Sequence, residues 1–102
     1  MKILVVGSGG REHAIIKKIK ENKDVEKIYA LPGNAGMADD AELVDIKASE
    51  LDKIVSFAVE KAVDYAVVAP DNPLVDGCVD KLEAAGVPCF GPRANAAIIE
   101  GS

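Results

Sequence analysis

The amino-acid sequence predicts an α/β protein: a mostly parallel sheet of about five strands with helices on both faces of the sheet. Apolar, β-branched runs such as "KILVV" at 2–6 and "DYAVVA" at 64–69 are typical of strands buried on both faces. Segments with helical periodicity separate most of these runs, as in a sheet of parallel strands. The chain shows no repeat, linker or low-complexity stretch, so we expect its 102 residues to form one domain.

Strands and helices are expected in a regular order. The apolar segments predicted as strands are 2–6, 26–31, 41–46, 64–69 and 87–91. The segments with apolar residues at helical spacing are 11–21, 50–62, 73–86 and 92–102. Right-handed crossovers between parallel strands then leave few possible arrangements.

Local signals support the first two helices. Ile15, Ile16 and Ile19 define the buried side of the first helix. Ser49 and Asp52 have the spacing of a capping box, which predicts where the second helix begins. The packing side of that second helix is formed by Leu51, Ile54, Val55 and Ala58.

The third helix has signals at both ends. Asn72 is a candidate N-cap, Pro73 suits the first helical position, and Gly86 closes the helix. The apolar side of this helix is formed by Leu74, Val75, Cys78, Val79 and Leu82. Cys78 on this side, and Cys89 in the last strand, are therefore interpreted as core thiols.

Composition and charge exclude several classes of function. The net charge of −5, with no basic stripe or aromatic platform, argues against a nucleic-acid partner. No apolar stretch is long enough to span a membrane, and "MKILVV" is too short for a signal peptide. The two cysteines are too few for a disulfide framework and lack metal-ligand spacing. We expect a cytoplasmic protein.

Three turn-like segments follow the carboxyl ends of predicted strands. They are "GSGGRE" at 7–12, "PGNAG" at 32–36 and "PDNP" at 70–73. Ligands of parallel α/β sheets bind at this edge, near the point where the strand order reverses. The convergence of the three segments predicts a ligand site more strongly than any one of them.

The glycine loop only partly fits the dinucleotide fingerprint. Gly7 and Gly9 match G-x-G-x-x-G, but Glu12 stands where the third glycine belongs, and the second strand ends without a ribose-binding acid. NAD is therefore disfavoured. A phosphate site needs only accessible backbone N–H groups at the start of a helix, as around Gly10. The planar guanidinium of Arg11 can add charged hydrogen-bond donors. The alternative interpretation is a tight turn that binds nothing.

Glu12 is a second candidate on the same loop. It precedes Ile15 by three residues and Ile16 by four, so its carboxylate should face inward at the carboxyl edge of the sheet. A ligand contact is one interpretation, and a complement to the positive end of the helix is the other. His13 turns away from the buried side, so we expect it at the surface, without a catalytic role.

Asn34 and Asp71 are the candidates in the other two segments. Asn34 and its neighbouring glycines either face a ligand or only form a left-handed turn. Asp71 is free to face a ligand because Asn72 can cap the helix, although turn aspartates are common. The sequence indicates no catalytic residue and no metal ligand.

Several of these segments carry a family resemblance. "VVGSGGREHA", "LPGNAGMA", "VVAPDNPLVDG", "GVPCFGP" and the closing "EGS" together resemble the amino-terminal domain of the phosphoribosylamine–glycine ligase family, also called glycinamide ribonucleotide synthetase. The resemblance covers the whole chain in the same order. It implies a Rossmann-like domain of the kind that precedes an ATP-grasp fold. The family joins glycine to phosphoribosylamine with ATP, through a glycyl phosphate, in purine biosynthesis.

The resemblance also implies which residues bind. Residues 1–102 would be the phosphoribosylamine-binding domain, with Gly9, Gly10, Arg11 and Asp71 on the phosphoribosyl group. The family often has a glutamate in place of Asp71, so the carboxylate here is one methylene shorter.

Family members continue beyond the closing "EGS", and the resemblance therefore implies one domain of a larger enzyme. ATP, with Mg²⁺ or Mn²⁺, belongs to the later domains, so we expect no cofactor in this chain and no activity from it alone. The expected partners are phosphoribosylamine or glycinamide ribonucleotide, and the remaining domains of the same polypeptide.

Two other classes of protein stay open. One is a free-standing Rossmann-like nucleotide-binding module without catalytic activity. A dinucleotide-binding module would have the third glycine and the strand-end acid that this sequence lacks, which favours the ligase family. The other is a docking domain whose glycine loop binds nothing by itself.

Overall fold

Five parallel strands form one sheet in the computed structural model, which describes residues 1–68 and 74–90. The strands are β1 (Lys2–Gly7), β2 (Lys27–Pro32), β3 (Glu42–Leu43), β4 (Tyr65–Val68) and β5 (Cys89–Phe90). The helices are α1 (Gly10–Lys20), α2 (Leu51–Glu60) and α3 (Val75–Ala84), and a 3-10 turn spans Ala35–Met37. The predicted α/β class and the count of about five strands are confirmed.

The sheet order β3-β2-β1-β4-β5 places β1 at the centre. Gly7 of β1 lies opposite Pro32 of β2, and Val6 lies opposite Val68 of β4. Since all these pairs are parallel, the carboxyl ends of the three central strands meet at one edge of the sheet. The order matches that of Rossmann-like sheets, in which the strand order reverses between β1 and β4.

Helices cover both faces of the sheet, as predicted. On one face Ile16 and Ile19 of α1 join a core cluster with Ile3, Val5 and Val67. On the other face α2 and α3 pack over alternate strand residues. The buried residues that carry this second cluster include Leu4, Val6, Ile54, Ala58, Cys78 and Leu82. Because successive side chains of a strand point to opposite faces of the sheet, each face has its own hydrophobic core.

The third strand is shorter than predicted. The pattern indicated a strand over 41–46, but β3 contains two residues. The Val44 N–H still donates to Ala30 O at 2.9 Å, whereas the Ile46 N–H turns back to Val44 O at 2.7 Å. Val44 and Ile46 pack against the core under α2 and α3, so their apolar character reflects packing beyond the sheet rather than a longer ladder.

The predicted capping box of the second helix is wrong. Helix α2 begins at Leu51, and Glu50 occupies the N-cap position without a side-chain cap hydrogen bond. The preceding turn is held by the Glu50 carboxylate instead, which accepts the Lys47 N–H at 2.9 Å. Ser49 and Asp52 had the right spacing, but the chain turns one residue later than that spacing requires.

The third helix agrees with its predicted packing side at Cys78 and Leu82, which are fully buried. Leu74 precedes the helix and is 40% exposed, so its assignment to the buried side is wrong. The predicted N-cap at Asn72 and the predicted helix over 92–102 lie outside the described residues. None of the helices in the described ranges is long and apolar enough to cross a membrane.

Candidate functional site

The loop between β1 and α1 depends on glycine at position 7. Gly7 ends the strand with φ +143°, a backbone conformation that L side chains rarely adopt. A Cβ at this position would lie 2.4 Å from Oε1 of Glu12. Backbone conformation and lack of space therefore both require glycine here.

Glu12 fills the space above Gly7. It is the buried charged residue of the described chain, with 8% of its surface exposed. Its Oε1 accepts the Gly9 N–H at 3.2 Å. The predicted inward orientation is confirmed, and the carboxylate lies at the end of α1 where peptide dipoles favour negative charge. A contact between Glu12 and a ligand stays a prediction.

The start of α1 presents unpaired backbone donors. Gly9 occupies the N-cap position, its N–H bonds Glu12, and its carbonyl accepts the His13 N–H at 3.1 Å. Within residues 1–68 and 74–90, the N–H groups of Gly10, Arg11 and Glu12 have no acceptor from the protein. Unpaired donors at the positive end of a helix can bind an anion such as phosphate.

Among the described residues, no atom covers the position of Gly10. A Cβ at Gly10 would meet no described atom within 4 Å, and a Cβ at Gly9 would lie 3.5 Å from Oε1 of Glu12, an ordinary contact. Arg11 is exposed beside them. Neither Gly9 nor Gly10 is required by the fold, so their bare backbone leaves space for a ligand.

The segment after β2 is bound directly to this loop. The Gly33 N–H donates to Gly7 O at 3.0 Å, and Asn34 Nδ2 donates to Ser8 O at 2.6 Å. Gly33 has φ +69°, and a Cβ there would lie 2.7 Å from a methyl group of Leu43. Two of the three predicted site segments therefore meet, as their positions in the sequence indicated. The third, with Asp71, lies outside the described residues.

His13 differs from its predicted position at the surface. Its ring is half-buried, with Nε2 3.6 Å from Oδ2 of Asp40. A Cβ at Gly36 would lie 3.4 Å from the ring carbon Cε1. This contact was not predicted from the sequence, although one signal indicates it: His13, Lys17 and Lys20 are spaced to share one side of α1.

The Asp40 carboxylate lies within 4 Å of the side-chain nitrogens of His13, Lys17 and Lys20. Lys20 Nζ lies 2.8 Å from Oδ1, and Lys17 Nζ lies 3.0 Å from Oδ2. Hydrogen bonds from Lys20 and then Lys17 lower the Asp40 pKa from its ordinary 3.8 to about 2. The carboxylate therefore fastens α1 to the segment that leads from the 3-10 turn into β3.

Both cysteines are free thiols, as predicted. Burial raises the pKa of Cys78 and is the main reason that the pKa of Cys89 is raised to about 12. Thiols with raised pKa values are poor nucleophiles near neutral pH, which supports their interpretation as packing residues.

Other parts of the described structure are weaker candidates for a ligand site than the glycine loop. Within the described ranges, no group of three or more His, Cys, Asp or Glu side chains is placed to hold a metal ion. A surface depression of about 440 Å³ lies beside the starts of β2 and β3, lined by residues that include Lys20, Lys27, Asp40 and Glu42. Its two lysines are already paired, since Lys27 Nζ lies 2.8 Å from Glu42 Oε1 and Lys20 Nζ lies 2.8 Å from Asp40 Oδ1. The depression also lies away from the carboxyl edge of the sheet.

The fold and the loop define a Rossmann-like α/β domain whose first helix begins at the carboxyl edge of the sheet with N–H groups that have no acceptor among the described residues. A family model described as phosphoribosylglycinamide synthetase, N domain, matches residues 1–100. The chain belongs to this family.

Curated relatives agree with the family match. A phosphoribosylamine–glycine ligase of Caldanaerobacter subterraneus is 51% identical over 102 residues, which are all of this chain and 24% of that protein. Ligases with the same name from Listeria innocua and Agrobacterium fabrum are 52% and 48% identical, again over the whole chain and 24% of their own length. The chain thus spans about a quarter of the length of these relatives.

Proposed function

We propose that residues 1–102 are the amino-terminal, phosphoribosylamine-binding domain of an ATP-dependent ligase that joins glycine to phosphoribosylamine in purine biosynthesis. Family membership over residues 1–100 supports this assignment. One structural observation supports the binding role: within the described residues, the N–H groups of Gly10, Arg11 and Glu12 have no protein acceptor, and a Cβ at Gly10 would meet no atom within 4 Å.

The proposed ligand contacts follow from charge and geometry. The 5-phosphate or ribose approaches Gly9 and Gly10, where no side chain intervenes, and the Arg11 guanidinium adds planar charged donors. Glu12 faces the sugar or amine rather than the phosphate, because like charges repel. Asn34 completes this side of the site. Asp71 is proposed to contact the same substrate from the segment after β4.

The chemical step is assigned to later parts of the proposed polypeptide. ATP, Mg²⁺ or Mn²⁺, and the glycyl phosphate belong to an ATP-grasp region, and we propose no catalytic residue in this chain. Its partners are phosphoribosylamine or glycinamide ribonucleotide and the remaining domains. A cytoplasmic location is part of this proposal, as expected for a biosynthetic ligase that consumes ATP.

A docking domain whose loop binds nothing is the competing function. It would explain the family match equally well, since the match does not test ligand binding. The position of Gly10 favours binding, because a Cβ there would meet no described atom within 4 Å and the described fold does not require glycine. The unpaired N–H groups do not separate the two functions, since every α-helix leaves its first N–H groups without intrahelical acceptors.

A chimeric ligase tests the proposal. The matching region of the Caldanaerobacter ligase is replaced with this chain, and formation of glycinamide ribonucleotide from phosphoribosylamine, glycine and ATP is measured. We expect an active chimera, and no product or ATP consumption from the 102-residue chain alone. In the chimera, Arg11→Ala and Asp71→Asn should each raise the KM for phosphoribosylamine by about tenfold or more, the effect expected for one charged hydrogen bond.

The contradicting results are equally specific. Product from the isolated chain would show that the ligase activity does not depend on other domains. An active chimera whose KM is indifferent to both substitutions would favour the docking role.

A further inference from the structure

The Glu12 side chain bonds the part of the glycine loop that a dinucleotide-binding domain offers to pyrophosphate. In the G-x-G-x-x-G fingerprint, the second glycine lets the backbone approach a pyrophosphate, and the third lets the helix pack closely on the strand. Gly9 is the second glycine of this chain, and Glu12 stands in place of the third. The Gly9 N–H donates to Glu12 Oε1 at 3.2 Å, so a carboxylate of the protein already occupies this donor.

The negative charge of Glu12 is not neutralised by a neighbouring cation in the described structure. The residue is 8% exposed, and among residues 1–68 and 74–90 it forms no ion pair with a lysine, arginine or histidine. The Gly9 N–H and the positive end of α1 balance the charge in part. Because the carboxylate is buried, salt screens its charge less than that of a surface residue.

The donors that stay available to a ligand lie one residue further along the chain. The N–H groups of Gly10 and Arg11 have no acceptor among the described residues. A single phosphate group bound there lies beyond the Gly9 N–H that the carboxylate occupies. A diphosphate placed as in the fingerprint would also lie against Gly9, where its second phosphate group meets the Glu12 carboxylate. Repulsion between the two negative charges opposes that placement.

We propose that Glu12 is a specificity-determining residue, which restricts the glycine loop to ligands with a single phosphate group and excludes diphosphates, dinucleotides among them. The inference rests on the function proposed above, because that function assigns a sugar monophosphate to this loop. The carboxylate repels both classes of ligand, but the repulsion is stronger for the diphosphate, which carries more negative charge and brings it closer to Glu12.

A purely structural role for Glu12 makes a different prediction. If the carboxylate only held the loop through the Gly9 N–H, its removal would lower stability and weaken the binding of every anion alike. A specificity role changes the ratio of the affinities for a diphosphate and a monophosphate. A loss of stability does not alter that ratio while the protein stays folded.

The test compares the wild-type 102-residue chain with two variants at position 12 and one control. Glu12→Gln keeps the size of the side chain and an oxygen that can accept the Gly9 N–H, but removes the charge. Glu12→Gly completes the G-x-G-x-x-G pattern. Glu21→Gln is the control, because it makes the same change in net charge at the exposed C-cap residue of α1.

Calorimetry measures the affinities of ribose 5-phosphate, inorganic phosphate and inorganic pyrophosphate in the absence of divalent cations, and circular dichroism checks the fold. We expect Glu12→Gln to bind pyrophosphate roughly tenfold more tightly than wild type, the effect of removing one unit charge several ångströms from the second phosphate group. Its affinity for inorganic phosphate should rise by a smaller factor. Glu12→Gly should change the ratio in the same direction, and it decides the outcome if Glu12→Gln does not fold. Glu21→Gln should match wild type.

An unchanged ratio of pyrophosphate to phosphate affinity in the folded Glu12 variants would overturn the specificity role, and so would an equal change in Glu21→Gln. A separate result addresses the proposed function. If no form of the chain binds ribose 5-phosphate while the Glu12 variants gain pyrophosphate binding, Glu12 excludes diphosphates from a loop that is not the phosphoribosyl site. If no form binds any of the three probes, both proposals are wrong.

Discussion

The Glu12 side chain occupies the space that a Cβ at Gly7 would need: such a Cβ would be 2.4 Å from Oε1 and 2.6 Å from Cγ. The close approach lets a charged side chain be buried at the end of β1 and accept the Gly9 N–H at 3.2 Å. The conformation of the glycine loop therefore depends on two residues five positions apart, Gly7, which has no side chain, and Glu12, which is acidic.

Gly7→Ala should destabilise the domain and displace Glu12. Backbone strain at φ +143° costs about 1–3 kcal/mol by itself, and the carboxylate must also move. Urea unfolding measures the loss. Gly9→Ala is the matched control, since its Cβ would make only ordinary contacts with described atoms; its unfolding free energy should fall by about 1 kcal/mol or less, the cost of a poorer N-cap residue, and by less than that of Gly7→Ala. Equal stability of the two variants would contradict this account of the loop.

Gly10→Val should abolish ligand binding without unfolding the domain. A Cβ at Gly10 meets no described atom within 4 Å, so we expect the fold to accept a valine whose methyl groups fill the space beside the N–H groups of the helix start. Circular dichroism checks the fold and calorimetry with ribose 5-phosphate checks binding. Gly10→Ala, with a single methyl group, should bind with intermediate affinity. Full binding by Gly10→Val would place the ligand elsewhere.

Arg11→Ala should weaken binding by about tenfold or more at low salt, as expected for loss of one charged hydrogen bond. The difference from wild type should shrink as salt rises, because screening already weakens the wild-type contact. Affinities at several salt concentrations measure both effects. Lys23→Ala makes the same change in net charge away from the loop and should have little effect. A salt-independent difference would exclude a role for the charge of Arg11.

Acid should remove the stabilisation provided by Asp40. The folded-state pKa is lowered to about 2 from 3.8, so the contribution is complete above pH 3.8 and is lost as the pH falls towards 2. Unfolding free energies across this range should converge for wild type and Asp40→Asn. Asp39→Asn is the control, because in the described structure the Asp39 carboxylate makes no ion pair with α1. A constant difference between wild type and Asp40→Asn would refute this assignment.

Much of the fold could be predicted from sequence because buried parallel strands are continuous apolar runs. The inward orientation of Glu12 was also predictable, since helical spacing alone relates it to Ile16. The capping box at Ser49 was wrongly predicted, because the spacing of Ser49 and Asp52 does not show that the Glu50 carboxylate accepts the Lys47 N–H in the preceding turn.

The contacts that join the two loops could not be predicted. Asn34 and Ser8 are 26 residues apart, and they meet only because the parallel register places Gly7 beside Pro32. The contact of His13 with Asp40 depends on the same register and on the path of the 3-10 turn. Long-range pairs of this kind follow from the assembled sheet, whereas single-sequence patterns report local neighbours.

The most direct test of the phosphoribosyl site is an NMR titration of the 102-residue chain with ribose 5-phosphate, with ribose alone as the control. We expect the backbone N–H signals of Gly9, Gly10 and Arg11 to shift most with the phosphorylated sugar and hardly at all with ribose. Shifts confined to other regions, or no shift at saturating concentrations, would contradict the proposal that this loop binds the phosphoribosyl group.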